Sequence, residues 1–582
     1  MTPVPTDENR IIYFAETDAR NKRVKFGIKA KDRTKHIYVI GKTGMGKSTL
    51  LENMAVQDIQ NGEGMAFIDP HGKTADLLLE YVPKERIRDV IHIAPFDVDF
   101  PISFNVLESV DPTKRHLVVS GLMSTFKKIW VDAWSARMEY ILINTLLALL
   151  EAPNSTLLGV NRMLSDKEYR KEIISHVQDP SVKAFWTKEF AGYTERQAAE
   201  AVPAIQNKVG QFTANPLIRN MIGQPISTFD FRQAMDNRKI IIINLSKGRI
   251  GDENMKLLGG LLVTKIYLAA MSRADVPDRV MKMLPNFYLF VDEFQNFANA
   301  SFADILSEAR KYKLNLTIAH QYIEQMDEIV KPAVFGNVGT MITFRVGATD
   351  AEALEQEFAP VFTIEDLVNM GAYQIYLKLM IDGLSSAPFS ARTLDAIPHP
   401  DTSYVQEIIA SSRAQFSHPR AEVEQIILKF HEPTVPVKKA MTSSSESRPP
   451  ASLPVQQKKS QTIPAPVPPV VKEQISVPVS APMTKPSPVM PARPIPIPIP
   501  TPTQQMKPVS LSSLAPKTST QKQDPKIPSA RNINDLKNAL AAALSKSKVE
   551  NAKEQTQKPI ADISTKPPEV PEEVLEKVLK VD

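Results

Sequence analysis

The chain has 582 residues, 43% apolar and 23% charged, with a formal net charge of +5 and no cysteine. That length exceeds a single core and implies two or three domains, while the lack of thiols excludes disulfides, zinc–thiolate sites and thiol catalysis and suits a reducing cytoplasm. Met1–Glu8 has no basic or apolar segment of a signal peptide, and the longest apolar stretches, Tyr140–Ala152 and Leu257–Met271 with its Lys265, fall short of the roughly 20 uninterrupted residues a bilayer needs, so a cytoplasmic protein is expected.

In chain order, Ile11–Ala15 and Val24–Ile28 read as a short hairpin. The apolar, β-branched run His36–Ile40 reads as a buried strand, and Ser48–Met54 opens a helix. Between them Gly41-Lys42-Thr43-Gly44-Met45-Gly46-Lys47-Ser48 is a complete G-x-x-x-x-G-K-[ST] phosphate loop, continued by Thr49. In a strand–loop–helix context, successive backbone N–H groups and the helix N-terminus surround nucleotide phosphates. Lys47 then reaches the β/γ oxygens and the Ser48 hydroxyl holds Mg²⁺, so ATP and Mg²⁺ are the expected ligands.

Met65–Asp69 is a second strand, followed by Pro70-His71-Gly72. Such strand ends lie at the carboxyl edge of an open α/β sheet, where ligands bind, which places Asp69 near Mg²⁺ or at a subunit boundary. A plain turn explains Pro70 and Gly72 equally well. Between Asn105 and Asn220 the strand signal disappears and only helical periodicity remains, as in Trp134–Ala152. That segment reads as an all-α domain inserted into the sheet.

Lys239–Leu245 and Phe287–Glu293 are too apolar to be half-exposed strands, Leu314–Ala319 and Thr340–Arg345 add two more strands, and the alternation of strands and helices is what a parallel sheet requires. Asp292-Glu293 ends one of them. The Asp serves the Mg²⁺ shell, and the adjacent Glu is placed to activate the attacking water, which favours hydrolysis over switching. Arg310 lies on the following helix within Glu308–Tyr312, and Gln321 ends the next strand after Ala319-His320. A strand-end Gln can sense a γ-phosphate, and an Arg so placed can reach a neighbour's nucleotide. The plain alternative for Arg310 is a solvated helix charge.

Composition changes at Thr434, beyond which lie more than half of the 47 prolines, in runs such as Pro464–Pro469 and Pro494–Pro500. The tail counts 21 Lys/Arg and 12 Asp/Glu, a balance of +9, leaving 70 − 21 = 49 basic and 65 − 12 = 53 acidic residues, or −4, for the body. A slightly acidic body restricts any DNA contact to a local pore or groove. The tail is expected to be disordered and locally polyproline II, interrupted by amphipathic islands at Asn532–Lys546 and Pro571–Leu579, which are either residual helices or docking motifs.

The succession Gly41–Ser48, Ile68-Asp69-Pro70-His71-Gly72, an all-α insertion, Val291-Asp292-Glu293-Phe294-Gln295, Glu308–Tyr312 and Ile318–Gln321 resembles the TraG/TraD-type coupling ATPases of type IV secretion and conjugation, members of the FtsK–HerA superfamily of ring motors. The resemblance implies a RecA-like P-loop NTPase fold of class α/β with a mainly parallel sheet. The periodicity and composition changes divide the chain into residues 1–104 and 221–433 for the ATPase domain, 105–220 for the inserted domain and 434–582 for the tail. The resemblance also implies a hexameric ring that translocates DNA, with Arg310 as arginine finger, Gln321 as sensor and Arg345 as a second inter-subunit arginine. Secretion or conjugation components are the implied partners. Many coupling proteins carry N-terminal transmembrane helices, absent here, so peripheral recruitment to the inner face of the membrane through the tail is the expectation. The rivals are a ring ATPase moving protein or pilus subunits, and a nucleotide-dependent scaffold presenting its tail.

Overall fold

The structure, a computed structural model, describes residues 6–433 apart from 19–21, 109 and 131–133. The proline-rich tail and both of its islands lie outside the described residues. Thirteen strands are described: β1 Ile11–Glu16, β2 Lys25–Lys29, β3 Ile37–Ile40, β4 Gly64–Asp69, β5 Val90–Ile93, β6 Ile240–Asn244, β7 Phe287–Val291, β8 Leu314–His320, β9 Thr340–Thr343, β10 Gln374–Lys378, β11 Met380–Ile381, β12 Leu384–Ser385 and β13 Phe389–Thr393. Eleven of them form one sheet in the order β2-β1-β13-β10-β9-β3-β8-β7-β4-β6-β5, and β11 and β12 make a separate ribbon. The seven strands from β9 to β5 run parallel, while β10, β13, β1 and β2 add an antiparallel flank.

The parallel strands are apolar throughout because both faces are covered. Ile241 and Ile243 of β6, Leu289 and Val291 of β7, and Tyr38 and Ile40 of β3 share one core with helices of the segment between β5 and β6. The alternate residues Ile240, Ile242, Tyr288, Phe290, Ile37 and Val39 pack on the other face with Leu50, Leu51 and Met54 of the helix Lys47–Gln60. A period-two strand with two buried faces has no polar side to show in its sequence.

From Pro112 to Asp236 every regular element is helical, including Arg115–Ile129, Ala136–Glu151 and Glu195–Ala214. These helices reach the sheet through the helix Asp252–Met271, whose Leu257, Leu258, Leu261, Leu262 and Ile266 are all buried. Gly260 meets Thr125, and Gly259 lies directly beneath the Phe297 ring, where any Cβ would collide with it. By length and composition Asp252–Asp275 is one helix that could cross a membrane, but 67% of its apolar window is buried within the protein.

The strands β5, β10 and β13 have no counterpart in the sequence reading. β5 is only four residues long and includes a His. β10 alternates buried Ile375 and Leu377 with exposed or half-buried Gln374, Tyr376 and Lys378, the pattern of an antiparallel flank.

Candidate active site at the carboxyl edge of the sheet

The strand order places β8 between β3 and β7, so the ends of three neighbouring parallel strands converge. β3 delivers the phosphate loop, β7 delivers Asp292 and Glu293, and β8 delivers Gln321 between them. The loop turns through Gly44 and Gly46 at φ 77° and 116°. At Gly46 only glycine fits, because a Cβ would also lie 2.8 Å from the Tyr373 ring. Gly46 is the N-cap of Lys47–Gln60, and no side chain caps that end. Its first N–H groups are therefore free to receive an anion.

Lys47 is only 6% exposed, and its Nζ donates to the Gly41 and Lys42 carbonyls at 2.5 and 3.1 Å. Burial holds its pKa below the usual lysine value, against the pull of Glu293 and Asp292. Met45 and Lys42 are braced from the far side of β3. The Tyr373 N–H donates to the Met45 carbonyl at 2.9 Å, and the Lys42 N–H donates to the Arg345 carbonyl at 2.8 Å. Phe344, packed against Gly41 and Gly46, and Tyr373 thus shape the loop, and neither has a motif spacing that marks it in the sequence.

Glu293 has a left-handed backbone, φ 47°, and is 8% exposed. Both of its carboxylate oxygens are occupied: Oε1 accepts from Gln321 Nε2 and Oε2 accepts from Gln295 Nε2 at 2.6 Å. Gln321 Oε1 in turn accepts from the Thr43 hydroxyl at 2.9 Å, so one amide links the phosphate loop to Glu293. His71 Nε2 stands 3.8 Å from Glu293 Oε1. Asp69 does not project freely into the site, since its two oxygens accept the His71 and Ala75 N–H groups at 2.7 and 3.0 Å and hold the turn after β4.

Asp292 is 4% exposed, and burial, followed by the charges of Glu293 and Asp69, pushes its carboxyl up to about 7. Asp292 thus lies among two further carboxylates, with Lys47 as a nearby cation. Ser48 is exposed at the second position of the helix, next in the chain to Lys47, whose charge acts on Asp292. Among the described residues no group of three His, Cys, Asp or Glu side chains forms a metal cage. One carboxylate and one hydroxyl fit Mg²⁺, which keeps waters and phosphate oxygens in its shell.

Arg310 is exposed and lies at the opposite edge of the sheet, where its charge acts on His36 just before β3. The seven residues of β8 separate it from Gln321 by roughly 20 Å at the usual strand rise. The structure therefore does not bring Arg310 to the phosphate loop of its own chain. Arg345 does sit beside that loop. Gln295 belongs to the Val291–Gln295 motif, yet its residue type alone gives it no role there.

Fold and site together define a phosphate-loop NTPase with a helical insertion between β5 and β6. The profile of the type IV secretion-system coupling protein DNA-binding domain matches residues 24–370. That is more than half of the chain, and the protein belongs to this family. Among solved structures it is similar to the plasmid coupling protein TrwB in complex with the non-hydrolysable ATP analogue ADPNP, with 14% identity, 70% of this chain and 99% of that one covered, and a TM-score of 0.48. TrwB in complex with ADP and Mg²⁺ shows 14% identity over 69% and 98% of the two chains, with a TM-score of 0.48. VirB4 of Thermoanaerobacter pseudethanolicus shows 13% identity over 69% and 100%, with a TM-score of 0.44. No curated protein sequence is detectably similar to the chain.

Proposed function

We propose that the protein is an Mg²⁺-dependent ATPase that assembles into a hexameric ring and moves DNA in conjugation-like transfer or type IV secretion. The observation that carries this reading is the convergence of Lys47, Asp292, Glu293 and Gln321 at one sheet edge, in a chain of the coupling-protein DNA-binding family.

In this reading the N–H groups of Thr43–Thr49, beyond the Gly41 and Lys42 N–H groups that bond to the His320 and Arg345 carbonyls, bind the phosphates and Lys47 neutralises the β/γ oxygens. Ser48 and Asp292 would hold Mg²⁺, which would supply charge neutralisation on the phosphates. Glu293 accepts the proton of the attacking water, and Gln321 carries the state of the phosphate loop to Glu293 through Thr43. Arg310 completes the site of a neighbouring copy.

ATP turnover measured with and without single- and double-stranded DNA tests the proposal. Turnover should rise with DNA and the rise should weaken with salt, because phosphate contacts release counterions. Lys47→Ala should lose nucleotide binding, whereas Glu293→Gln should bind ATP and lose roughly 10²–10⁴-fold in kcat, the usual size of a general-base contribution. Turnover indifferent to both DNAs at low salt would favour transport of protein instead.

A further inference from the structure

We propose that Gln295 is a positioning residue that fixes the plane of the Glu293 carboxylate, while Gln321 is the releasable partner that hands one oxygen to the attacking water. The inference rests on the reading of Glu293 as general base. A carboxylate only accepts hydrogen bonds, so both glutamines must present their NH₂ groups to it, and the orientation of both amides follows from the chemistry.

The two amides are anchored differently. Gln321 has a second bond, from the Thr43 hydroxyl to its Oε1, and so belongs as much to the phosphate loop as to Glu293. Any movement of Thr43 toward a phosphate pulls on the bond to Glu293. Gln295 has no such tie. It sits in the one-turn helix Phe294–Asn296, pinned by Asn296 N–H to the Glu293 carbonyl at 2.9 Å and Phe297 N–H to the Phe294 carbonyl at 3.0 Å. Phe294 is fully buried, edge-on to the Phe302 and His320 rings.

The side-chain amide oxygen Oε1 of Gln295 is buried without a hydrogen-bond partner. Leaving a polar atom so costs stability, and a hydrophobic side chain of the same length would avoid that cost. What the glutamine contributes in return is its bond to Glu293 Oε2. With Oε2 held by a rigid turn and Oε1 held by a residue coupled to the loop, only Oε1 becomes free for water. Hydrolysis then waits on the phosphate loop.

Gln295→Met keeps length and bulk and removes the donor, and Gln295→Glu keeps the shape but sets a like charge against Glu293. Both full-length variants are compared with wild type for kcat and KM of ATP hydrolysis and for equilibrium binding of a fluorescent ATP analogue. Misplacement of a catalytic group by about 1 Å costs on the order of 10²-fold, so kcat should fall by about 10- to 100-fold with binding within about twofold of wild type. Gln295→Glu should be the worse of the two. Wild-type kcat in Gln295→Met overturns the assignment, and so does a parallel loss of binding and kcat in both variants, which would make Gln295 a packing residue. A wild-type protein that does not hydrolyse ATP would instead refute the proposed function itself.

Discussion

Asp292 carries the largest electrostatic burden of the site. Its carboxyl is raised from 3.8 to about 7 chiefly by burial, with Glu293 and Asp69 adding repulsion. The folded state therefore keeps a proton that the unfolded chain has already released. Stability is fully present below the ordinary carboxylate pKa and is lost as pH rises through about 7. Asp292→Asn should accordingly unfold at a higher temperature than wild type at pH 8 in the absence of Mg²⁺, by about 1 °C per kcal/mol for a body of this size. The gap should close toward pH 5, and the variant should have lost Mg²⁺-dependent turnover. Calorimetric scans at the two pH values check the sign. The pairing of Asp292 with Glu293 was legible in the sequence, because an apolar strand ending in two acids is informative after a phosphate loop. The full clamp on Glu293 was not, since Gln321 is 28 residues from Glu293 and reaches it only through sheet order.

At the scale of elements, the helix Asp252–Met271 shows how composition underdetermines placement. Its apolar residues surround the whole helix, a pattern shared by core helices and membrane spans. What places it inside is contact, above all the Phe297 ring on Gly259 and Thr125 on Gly260. Gly259→Ala should push the Phe297 ring aside and destabilise the fold by about 1–3 kcal/mol, the usual cost of overpacking. A lower urea midpoint at unchanged slope is the expected result. The same logic separates the strands that were readable from those that were not. β3, β4, β6, β7, β8 and β9 are buried on both faces and so appear as apolar runs. β10 and β13 keep polar residues on their strands, and β5 is too short to carry a period.

For the whole molecule, the position of Arg310 is decisive. An exposed guanidinium at the sheet edge opposite the phosphate loop cannot serve its own site, so any catalytic part it plays requires another copy. Arg310→Ala should spare ATP binding and reduce kcat by about 10³-fold or more, as loss of an arginine finger does. Mixed into wild type, it should lower activity by more than its share, and wild-type turnover per subunit should rise with protein concentration. Proportional dilution would return Arg310 to the surface charges. Truncation after Pro433 should leave ATP turnover intact and reduce association with membranes or the secretion apparatus. That expectation comes from the tail's +9 balance and its two apolar islands, because a short amphipathic segment can seat in a partner groove while proline runs act as spacers.

The sequence by itself determined the chemistry that local order can encode: the phosphate loop, the Asp-Glu pair and the apolar parallel strands. Each depends on residues adjacent in the chain or on a burial pattern that repeats along it. Tertiary structure alone decided which strand ends are neighbours. By inserting β8 between β3 and β7 it joined Thr43, Gln321 and Glu293 into one hydrogen-bonded chain. It also sent Arg310 to the far edge of the sheet. Hydrogen bonds act over about 3 Å, and which side chains come that close depends on the order of strands in space, a quantity no local spacing contains.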